Sequence, residues 1–294
     1  MKKMSNGERA FEAVIAAVFL VIMLVMILPV IHVFMASLSD SDLLIKTKGL
    51  VLWPKEFSFN AYKMVALNPN ILNGYKVTLI VLVSGVILSL FLTLLGAYVL
   101  SRKHFRAGKY IMIYIMITMF FSGGMIPGYL VVNNILHMGN SILALIIPGS
   151  LSTYNLIVMR SAFSQIPDAL LESAEIDGAN DFIILTRIVI PVSMATVAVI
   201  ILFYGVYYWN SWFSAALYLR DRSKYPLQLI LREILINSNI RELADSADST
   251  SDLSSISESI KYATIVIATL PIMCVYPFLQ KYFVKGVMIG SIKG

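Results

Sequence analysis

Charged residues are scarce in this chain, and cysteine is nearly absent. Only 14% of the 294 residues are charged, 58% are hydrophobic, and the mean hydropathy is +0.80. A soluble domain is about half apolar and about a quarter charged, so one soluble core does not account for this composition. A cytosolic enzyme, a disordered protein and an ordinary nucleic-acid-binding domain are therefore excluded. The net charge of +6 is typical of basic loops that set membrane orientation and meet anionic lipid.

Motifs of catalysis and metal binding are missing as well. The single cysteine, Cys274, excludes an internal disulfide and a cysteine-based metal site. Phosphate-binding loops, zinc-protease motifs and nucleophile elbows do not occur, so we expect no enzymatic activity, no metal and no cofactor on this chain. The apolar runs hold almost no charged side chains, which argues against a proton or ion path through them. His32 and Arg160 lie near the ends of such runs, where an interfacial role is expected.

Six apolar stretches are long enough to cross a bilayer as helices, which takes roughly 20 residues each. The first is too long for the apolar region of a signal peptide, so we interpret it as a retained span. The stretches lack period-2 alternation, and the predicted fold class is therefore an all-α integral membrane protein rather than a barrel. Residues 1–294 are predicted to form a single transmembrane domain with spans at about 11–36, 74–100, 110–136, 141–160, 192–219 and 262–283.

Lysine and arginine in the short loops predict the orientation of these spans. The N-terminal residues, the 101–109 loop and the C-terminal residues are basic, whereas the 138–140 loop has no lysine or arginine. Both termini, the 101–109 loop and the 160–191 loop are therefore expected in the cytoplasm. The segments 37–73 and 220–260 are expected outside.

The two outer segments carry weaker signals. Asn60 is predicted to cap a short helix that lies at the membrane surface. The stretch 244–259 is rich in serine and aspartate, which favours a flexible, solvated loop over a specific docking surface.

Two spans carry features expected of a transport path. The third contains FSGGMIPGY at 121–129, and broken helices of this kind occur where transporters hold or pass a substrate, although a packing kink is the alternative. In the fifth, Tyr204, Tyr208 and Trp212 fall at i, i+4 and i+8 on one helical stripe. Three further residues widen this stripe: Tyr207, Asn210 and Ser211. Aromatic faces beside neutral polar groups suit a sugar path, and an interfacial aromatic belt is an equally good interpretation.

The cytoplasmic loop before the fifth span predicts a short amphipathic helix. Pro167 suits a first helical turn, and Asp168 favours the positive end of the helix dipole. Asp168, Glu172 and Glu175 form one acidic stripe, and the Asp-Gly pair at 177–178 is a stop signal. Such a helix suits docking into a basic groove of a soluble partner, and a solvated helix face is the alternative.

This loop resembles the EAA loop of ABC-importer permeases. Residues 172–174 and 177–179 match the E-A-A and D-G-A elements, with Ser173 as the single departure, and Ile188 and Pro191 match the I-x-x-P element.

Further resemblance covers nearly the whole chain. Residues 121–130, 138–149 and 203–235 resemble carbohydrate-importer permeases, and KYFVKGVMIGSIKG at 281–294 resembles the end of the MalG type. Within that type, the chain is most similar to the group that includes LplC, YtcP and the smaller permease of the alginate importer.

The resemblance implies a permease subunit with the type I ABC-importer fold, multi-pass in the bacterial cytoplasmic membrane. It implies as partners a second, different permease, an ATPase homodimer that carries ATP and Mg, and an extracytoplasmic sugar-binding protein. The implied substrate is an oligosaccharide, with fragments of uronate-containing polysaccharides as candidates. The alternatives are an ion-coupled secondary sugar carrier, a membrane enzyme and a scaffold protein.

The resemblance also assigns roles to residues. The loop 167–179 would be the coupling helix in the ATPase cleft, with Glu172 at the ATPase surface and Gly178 permitting the turn. Implied ATPase-coupling residues are Pro167, Asp168, Leu171, Glu172, Ser173, Ala174, Asp177, Gly178, Ala179 and Pro191. An ATPase-contacting tail would include Gly286, Gly290, Lys293 and Gly294. The candidate path residues remain Tyr204, Tyr208, Asn210 and Trp212.

Overall fold

The computed structural model describes residues 6–47, 49–121, 123–245, 259–275 and 277. Within these ranges the chain is helical, and the only strand-like pairing is an isolated bridge between Ser39 and Phe57. The all-helical part of the predicted fold class is therefore confirmed. The chain divides into two compact units, one of residues 1–69 and 231–270 and the other of residues 70–230 and 271–294.

The first unit begins with a long apolar helix, α1 (Asn6–Ser37), followed by α2 (Ser41–Lys46) and α3 (Asn60–Leu67). His32 has a structural role here, because its Nδ1 accepts a hydrogen bond from the backbone N of Val51 at 2.9 Å. The His32 ring also meets the ring of Tyr262 edge-on, with centroids 5.5 Å apart. The predicted short surface helix is present as α3, but Asn60 is its first helical residue, and Phe59 holds the cap position without a side-chain hydrogen bond.

The second unit contains the longest helix and a series of shorter ones. Their bounds are α4 (Pro69–Ser101), α5 (Gly108–Phe120), α6 (Met125–Leu130) with a π-helical turn (Val131–Ile135), α7 (Leu143–Ile146), α8 (Thr153–Ser164), α9 (Asp168–Ile176), α10 (Asp181–Ile184) with a π-helical turn (Leu185–Val189), α11 (Ile190–Val192), α12 (Met194–Trp209) and α13 (Trp212–Tyr218). Two further helices, α14 (Leu227–Asp245) and α15 (Ser259–Val275), each contribute residues to both units.

Several predicted spans differ from single straight helices. Of the described residues, only α1 and α4 form helices that are individually long and apolar enough to cross a membrane. The predicted span 192–219 is a helix that follows an 88° bend after Val192 and stops at Trp209. The predicted span 110–136 is interrupted after Phe120, where Gly124 adopts a left-handed φ of 84°. The six-span topology and its orientation stay predictions.

The predicted fourth span, 141–160, is wrong as a continuous helix. Helix α7 ends at Ile146 and α8 begins at Thr153, so residues 147–152 form a non-helical link. Pro148 lies in this link and has no backbone N–H to continue the preceding helix. Ser152 then caps α8, because its side chain accepts a hydrogen bond from the backbone N of Asn155.

Small and hydroxyl-bearing residues on α4 form its contact with α12. Ser89 and Thr93 are completely buried, and each hydrogen-bonds to a tyrosine hydroxyl of α12. Gly85 lies against the ring of Tyr208, where an added Cβ would come within 2.6 Å of ring carbons. Small residues allow close approach of helices in a membrane, and hydroxyls then bond between them. This packing holds α12 against α4 in one fixed register.

The outer segment 220–260 contains more helix than the sequence predicted. Helix α14 occupies residues 227–245 of this segment, and it overlaps the stretch predicted as flexible loop at residues 244 and 245. Its first turn is capped from another helix, because Thr78 Oγ1 accepts a hydrogen bond from the backbone N of Leu227 at 2.8 Å. The remainder of the predicted flexible stretch up to residue 258 lies outside the described residues.

Candidate functional site

The predicted amphipathic helix of the 160–191 loop is present as α9. Pro167 lies just before it in the cap position, and Asp168 is its first helical residue. Leu171 and Ala174 face inward, with 9% and 8% of their surface exposed, and join the main apolar core. Glu172 is exposed on the outside of the same helix. One face of α9 is thus anchored to the bundle while the rest is open to a partner.

A Schellman motif ends this helix at the glycine that the sequence marked as a stop. The backbone N of Ala179 donates to the carbonyl of Ala174 at 2.9 Å, and the N of Gly178 donates to the carbonyl of Glu175 at 3.0 Å. Gly178 has a left-handed φ of 79°, which glycine adopts without cost. An added Cβ at Gly178 would meet no atom of the described residues within 4 Å. The requirement for glycine in this chain is therefore conformational, and the space around the turn is open.

The acidic stripe of α9 faces a basic loop of its own chain. Lys103 Nζ donates to Asp168 Oδ2 at 2.5 Å, and this hydrogen bond, together with the charge of Asp168, raises the pKa of Lys103. Asp168, Glu172 and Glu175 line a cavity of about 840 Å³, which the 101–109 loop lines as well. The acidic face therefore has basic residues of its own subunit opposite it, whereas the sequence predicted a basic groove on a soluble partner only.

The segment after the turn is fixed to the C-terminal end of α4. Asn180 caps α10 through its side chain, and the hydroxyl of Tyr98 donates to Asp181 Oδ1 at 2.7 Å. The guanidinium of Arg102 lies 4.0 Å from the centre of the Tyr98 ring, within cation–π distance. Pro191 follows in the short helix α11, directly before the bend that leads into α12. The loop is thus joined to both α4 and α12.

The predicted aromatic stripe is divided by the structure. Tyr204 and Tyr208 are 1% and 0% exposed. The hydroxyl of Tyr208 bonds with Ser89 and donates to the carbonyl of Ile146 at 3.1 Å. The hydroxyl of Tyr204 bonds with Thr93 and accepts from the backbone N of Ser152 at 3.1 Å. In this conformation neither ring offers a free face to a solute.

Trp212 does not continue the stripe, and this part of the interpretation is wrong. Helix α12 ends at Trp209, and Asn210 holds the cap position, with its side-chain Nδ2 donating to the carbonyl of Val206 at 2.9 Å. A separate helix, α13, begins at Trp212, so i+8 spacing from Tyr204 no longer gives a shared face. Asn210 is exposed and Trp212 is half-buried. A transport role for these residues stays a prediction.

The predicted tail contacts lie outside the described residues. This applies to Gly286, Gly290, Lys293 and Gly294. Their assignment continues to rest on the resemblance alone.

Comparison with known proteins identifies the family. Residues 85–289 match the family described as binding-protein-dependent transport system inner membrane component. The chain belongs to this family. It is a membrane permease component of an ABC transport system, as the EAA-like loop indicated, and the resemblance inferred from the sequence is confirmed.

Relatives cover the chain almost completely. It is 41% identical over 287 residues to the polygalacturonan/rhamnogalacturonan transport system permease protein YtcP of Bacillus subtilis, which covers 98% of this chain and 99% of YtcP. It is 40% identical over 268 residues to protein LplC of the same organism, covering 91% of this chain and 90% of LplC. A chain in the crystal structure of a bacterial ABC transporter involved in the import of the acidic polysaccharide alginate is 31% identical, with a TM-score of 0.85, and the match covers 96% of this chain and 100% of that one.

Sequence reasoning missed two groups of residues in this permease. Lys103 entered only as an orientation signal, because nothing local links it to Asp168, which lies 65 residues further along the chain. Tyr154 and Asn155 went unnoticed because the fourth span was treated as a continuous apolar helix. The Pro-Gly pair at 148–149 was the one available signal that this span is interrupted.

Proposed function

We propose that this chain is the transmembrane permease subunit of an ATP-driven importer that moves an oligosaccharide into the cytoplasm. The observation that carries the proposal is the geometry of α9: a short helix anchored through Leu171 and Ala174, ended by a left-handed glycine, with its remaining surface open. A helix held in this way transmits force from a docked partner to the bundle. Family membership and the sugar-transport names of the relatives support the same conclusion.

In this proposal, ATP and Mg bind a separate ATPase homodimer, and this chain carries no cofactor and no catalytic residue. A second, different permease completes the pathway, and an extracytoplasmic binding protein delivers the sugar. The chain spans the bacterial cytoplasmic membrane six times, with both termini inside. The tail around residues 286–294 is a further ATPase contact.

The proposed coupling surface combines the exposed part of α9 with the turn that follows it. Leu170 is 46% exposed and Ile176 is 86% exposed, so apolar contact area flanks the carboxylate of Glu172. A partner with a cationic group beside an apolar groove fits this surface. Closure of the ATPase dimer would move α9, and its links to α4 and α12 would carry the movement into the spans.

The substrate class proposed is an oligosaccharide, with a uronate-containing polysaccharide fragment favoured. This rests on YtcP, whose name gives polygalacturonan and rhamnogalacturonan, and on the alginate importer. The alternative, an ion-coupled secondary carrier, predicts uptake that continues without ATP and collapses with the ion gradient.

Two substitutions test the coupling role. Glu172→Lys reverses an exposed charge, and Gly178→Asp places a side chain in the open space of the turn, where aspartate tolerates the left-handed conformation. Both variants should insert normally, yet recover at least about tenfold less ATPase on affinity purification, as expected when a charge in an interface is mismatched.

A control is available at Gly49, where no atom of the described residues lies within 4 Å of an added Cβ and the φ of 119° strains an aspartate at least as much as the backbone of Gly178 does. Gly49→Asp lies in the predicted outer segment and should leave ATPase recovery at the parental level. Full ATPase recovery and full uptake in Glu172→Lys and Gly178→Asp would contradict the proposal.

A further inference from the structure

A cavity of about 720 Å³ lies where the interrupted fourth span meets α12. Its wall on one side is the non-helical link and the start of α8, with Gly149, Ser152 and Tyr154. Its wall on the other side is the exposed face of α12, with Phe203 and Tyr207. This face is adjacent to the buried tyrosine stripe, so the same helix presents paired tyrosines inward and free aromatic surface outward.

The aromatic side chains of this cavity are accessible. Tyr154 is 54% exposed, Tyr207 is 49% exposed and Phe203 is 36% exposed. The rings of Tyr154 and Phe203 lie 6.2 Å apart at an angle of 43° and form a tilted aromatic pair. Such a pair offers ring faces against which the C–H groups of a sugar ring can pack.

Polar groups with unused hydrogen-bonding capacity converge on the same space. Asn155 is only 5% exposed and lines the cavity, yet within the described part of the chain its side-chain amide has no hydrogen-bond partner. The hydroxyls of Tyr154 and Tyr207 likewise make no hydrogen bond to any described residue. An amide and two phenols together supply both donors and acceptors.

Lipid is a poor occupant for this cavity. Hydrocarbon satisfies none of these polar groups, and non-helical backbone such as the 147–152 link is tolerated at membrane depth only against protein or water. The lining residues are also neutral, so they attract no charged headgroup. Aromatic faces combined with uncharged donors and acceptors match the alternating C–H and O–H surface of a sugar.

We infer that this cavity, defined by Tyr154, Asn155, Phe203 and Tyr207, is a sugar-contacting part of the import path on this subunit. The inference rests on the proposed function and adds the residues that meet the substrate. Asn155 bonds sugar hydroxyls from the floor, Tyr154 and Tyr207 bond them from the rim, and Phe203 packs against the ring. Because the cavity carries no charge, it recognises the hydroxyl-bearing face of the sugar and not its carboxylate.

Gly149 sets the position of Tyr207 in this cavity. A Cβ added at Gly149 would lie 2.4 Å from the hydroxyl of Tyr207 and 2.6 Å from a ring carbon. Gly149→Ala would therefore displace the Tyr207 side chain without removing any of its atoms. Gly205, on the same helix as Tyr207, has no atom within 4 Å of an added Cβ and provides a matched control.

The test uses cysteine accessibility, since the chain has a single native cysteine, Cys274. In a Cys274→Ser background, Tyr154→Cys, Phe203→Cys and Tyr207→Cys are introduced one at a time. The complex captured with this chain is reconstituted in proteoliposomes and treated with a charged methanethiosulfonate reagent. Thiolates in contact with water attack the thio sulfur of this reagent, forming a mixed disulfide and releasing methanesulfinate. Ser89→Cys is the buried control, and Ile87→Cys is the exposed apolar control on α4.

The three cavity cysteines should react at least about tenfold faster than either control, because thiolate formation needs water. Short oligogalacturonides and alginate oligosaccharides are the probes, and the probe that the Cys274→Ser complex takes up should slow the labelling of Tyr207→Cys. Labelling of the cavity positions at the rate of Ile87→Cys would overturn the inference. So would rapid labelling without protection by a sugar that is being transported.

Two uptake measurements keep the inference separate from the proposed function. Tyr207→Phe should reduce sugar uptake about fivefold, the loss expected from one net hydrogen bond, and Gly149→Ala should do the same while Gly205→Ala leaves it unchanged. Equal uptake in all three would count against the inference. Failure of the Cys274→Ser complex to import any of the oligosaccharides would instead count against the proposed function, whatever the labelling rates.

Discussion

Helices α9 and α12 place their polar groups in opposite ways. Helix α9 buries Leu171 and Ala174 and exposes its carboxylates, as helices do at a water-covered surface. Helix α12 buries the hydroxyls of Tyr204 and Tyr208 against α4 while aliphatic and aromatic side chains face outward. Where the surroundings are apolar, burying another aliphatic side chain gains little, and close packing with hydrogen bonds holds the helices together. The proposed coupling helix and the proposed wall of the path therefore differ in how they pack against the rest of the chain.

The largest effect is expected on α9, at its apolar anchor. Leu171→Ala should lower the free energy of unfolding of the region around α9 by about 2 to 4 kcal/mol, because a buried leucine is replaced by a cavity. Leu170→Ala, one residue earlier and 46% exposed, should change it by less than about 0.5 kcal/mol. Proteolysis of the α9 loop in purified protein measures the difference. Equal protection of the two variants would mean that α9 is not held by its inner face.

The next effect is expected at the close contact between α4 and α12. Gly85→Ala places a methyl group against the ring of Tyr208 and should cost about 1 to 3 kcal/mol through overpacking. Gly205→Ala on α12 introduces the same methyl group into open space and should be neutral or slightly stabilising. Thermal unfolding in detergent, followed by fluorescence, checks this pair. Identical unfolding midpoints for the two variants would contradict the conclusion that Gly85 sets the separation between α4 and α12.

A smaller effect on stability is expected to distinguish the adjacent residues Tyr207 and Tyr208. Tyr208→Phe leaves the buried hydroxyl of Ser89 without its partner and should cost about 1 kcal/mol of stability. Tyr207→Phe, at a residue that is 49% exposed, should leave the unfolding midpoint unchanged. Uptake should show the reverse order, with Tyr207→Phe the more affected at matched protein amounts. A loss of stability in Tyr207→Phe would show that the Tyr207 hydroxyl stabilises the fold, and it would contradict its assignment to the cavity.

The smallest effect is expected at the ion pair between Lys103 and Asp168. Both side chains are largely exposed, at 76% and 51%, so Lys103→Gln should leave the unfolding midpoint within error. Asp168 raises the pKa of Lys103, so the pair's contribution is complete below the ordinary lysine pKa of about 10.4 and is lost only as pH rises through the higher folded-state value. Any difference in stability between the two proteins should therefore be unchanged between pH 6 and pH 8. A midpoint that falls markedly in the variant would show that the pair is a structural support.

Local sequence signals predicted α9 well. The helix ends at the predicted Asp-Gly pair at 177–178, and it begins at Asp168, one residue after the Pro167 that was predicted in its first turn. Capping and left-handed glycine act over a few residues, so local sequence reveals them. The helical fold class followed from the length of the apolar stretches and their lack of period-2 alternation. Interruption near Gly124 was also predicted from the glycine-rich stretch of the third span.

Long-range contacts could not be predicted in the same way. Whether Tyr204 and Tyr208 face inward depends on Ser89 and Thr93, more than a hundred residues earlier in the chain. The spacing of the aromatic residues predicted a stripe on one helix face, but it did not indicate which helix packs against that face. It also gave no reason for α12 to end at Trp209. The pairing of Lys103 with Asp168 has the same origin, since charge position along the chain does not reveal distance in space.

The measurement that tests the central claim most directly is affinity capture of this permease from its native membrane in mild detergent, with and without Glu172→Lys, followed by mass spectrometry. The account predicts that the parent chain brings with it a second permease, an extracytoplasmic binding protein and an ATPase with a phosphate-binding loop. It predicts that Glu172→Lys selectively loses the ATPase. Recovery of the parent chain alone would contradict the account and favour a self-sufficient carrier.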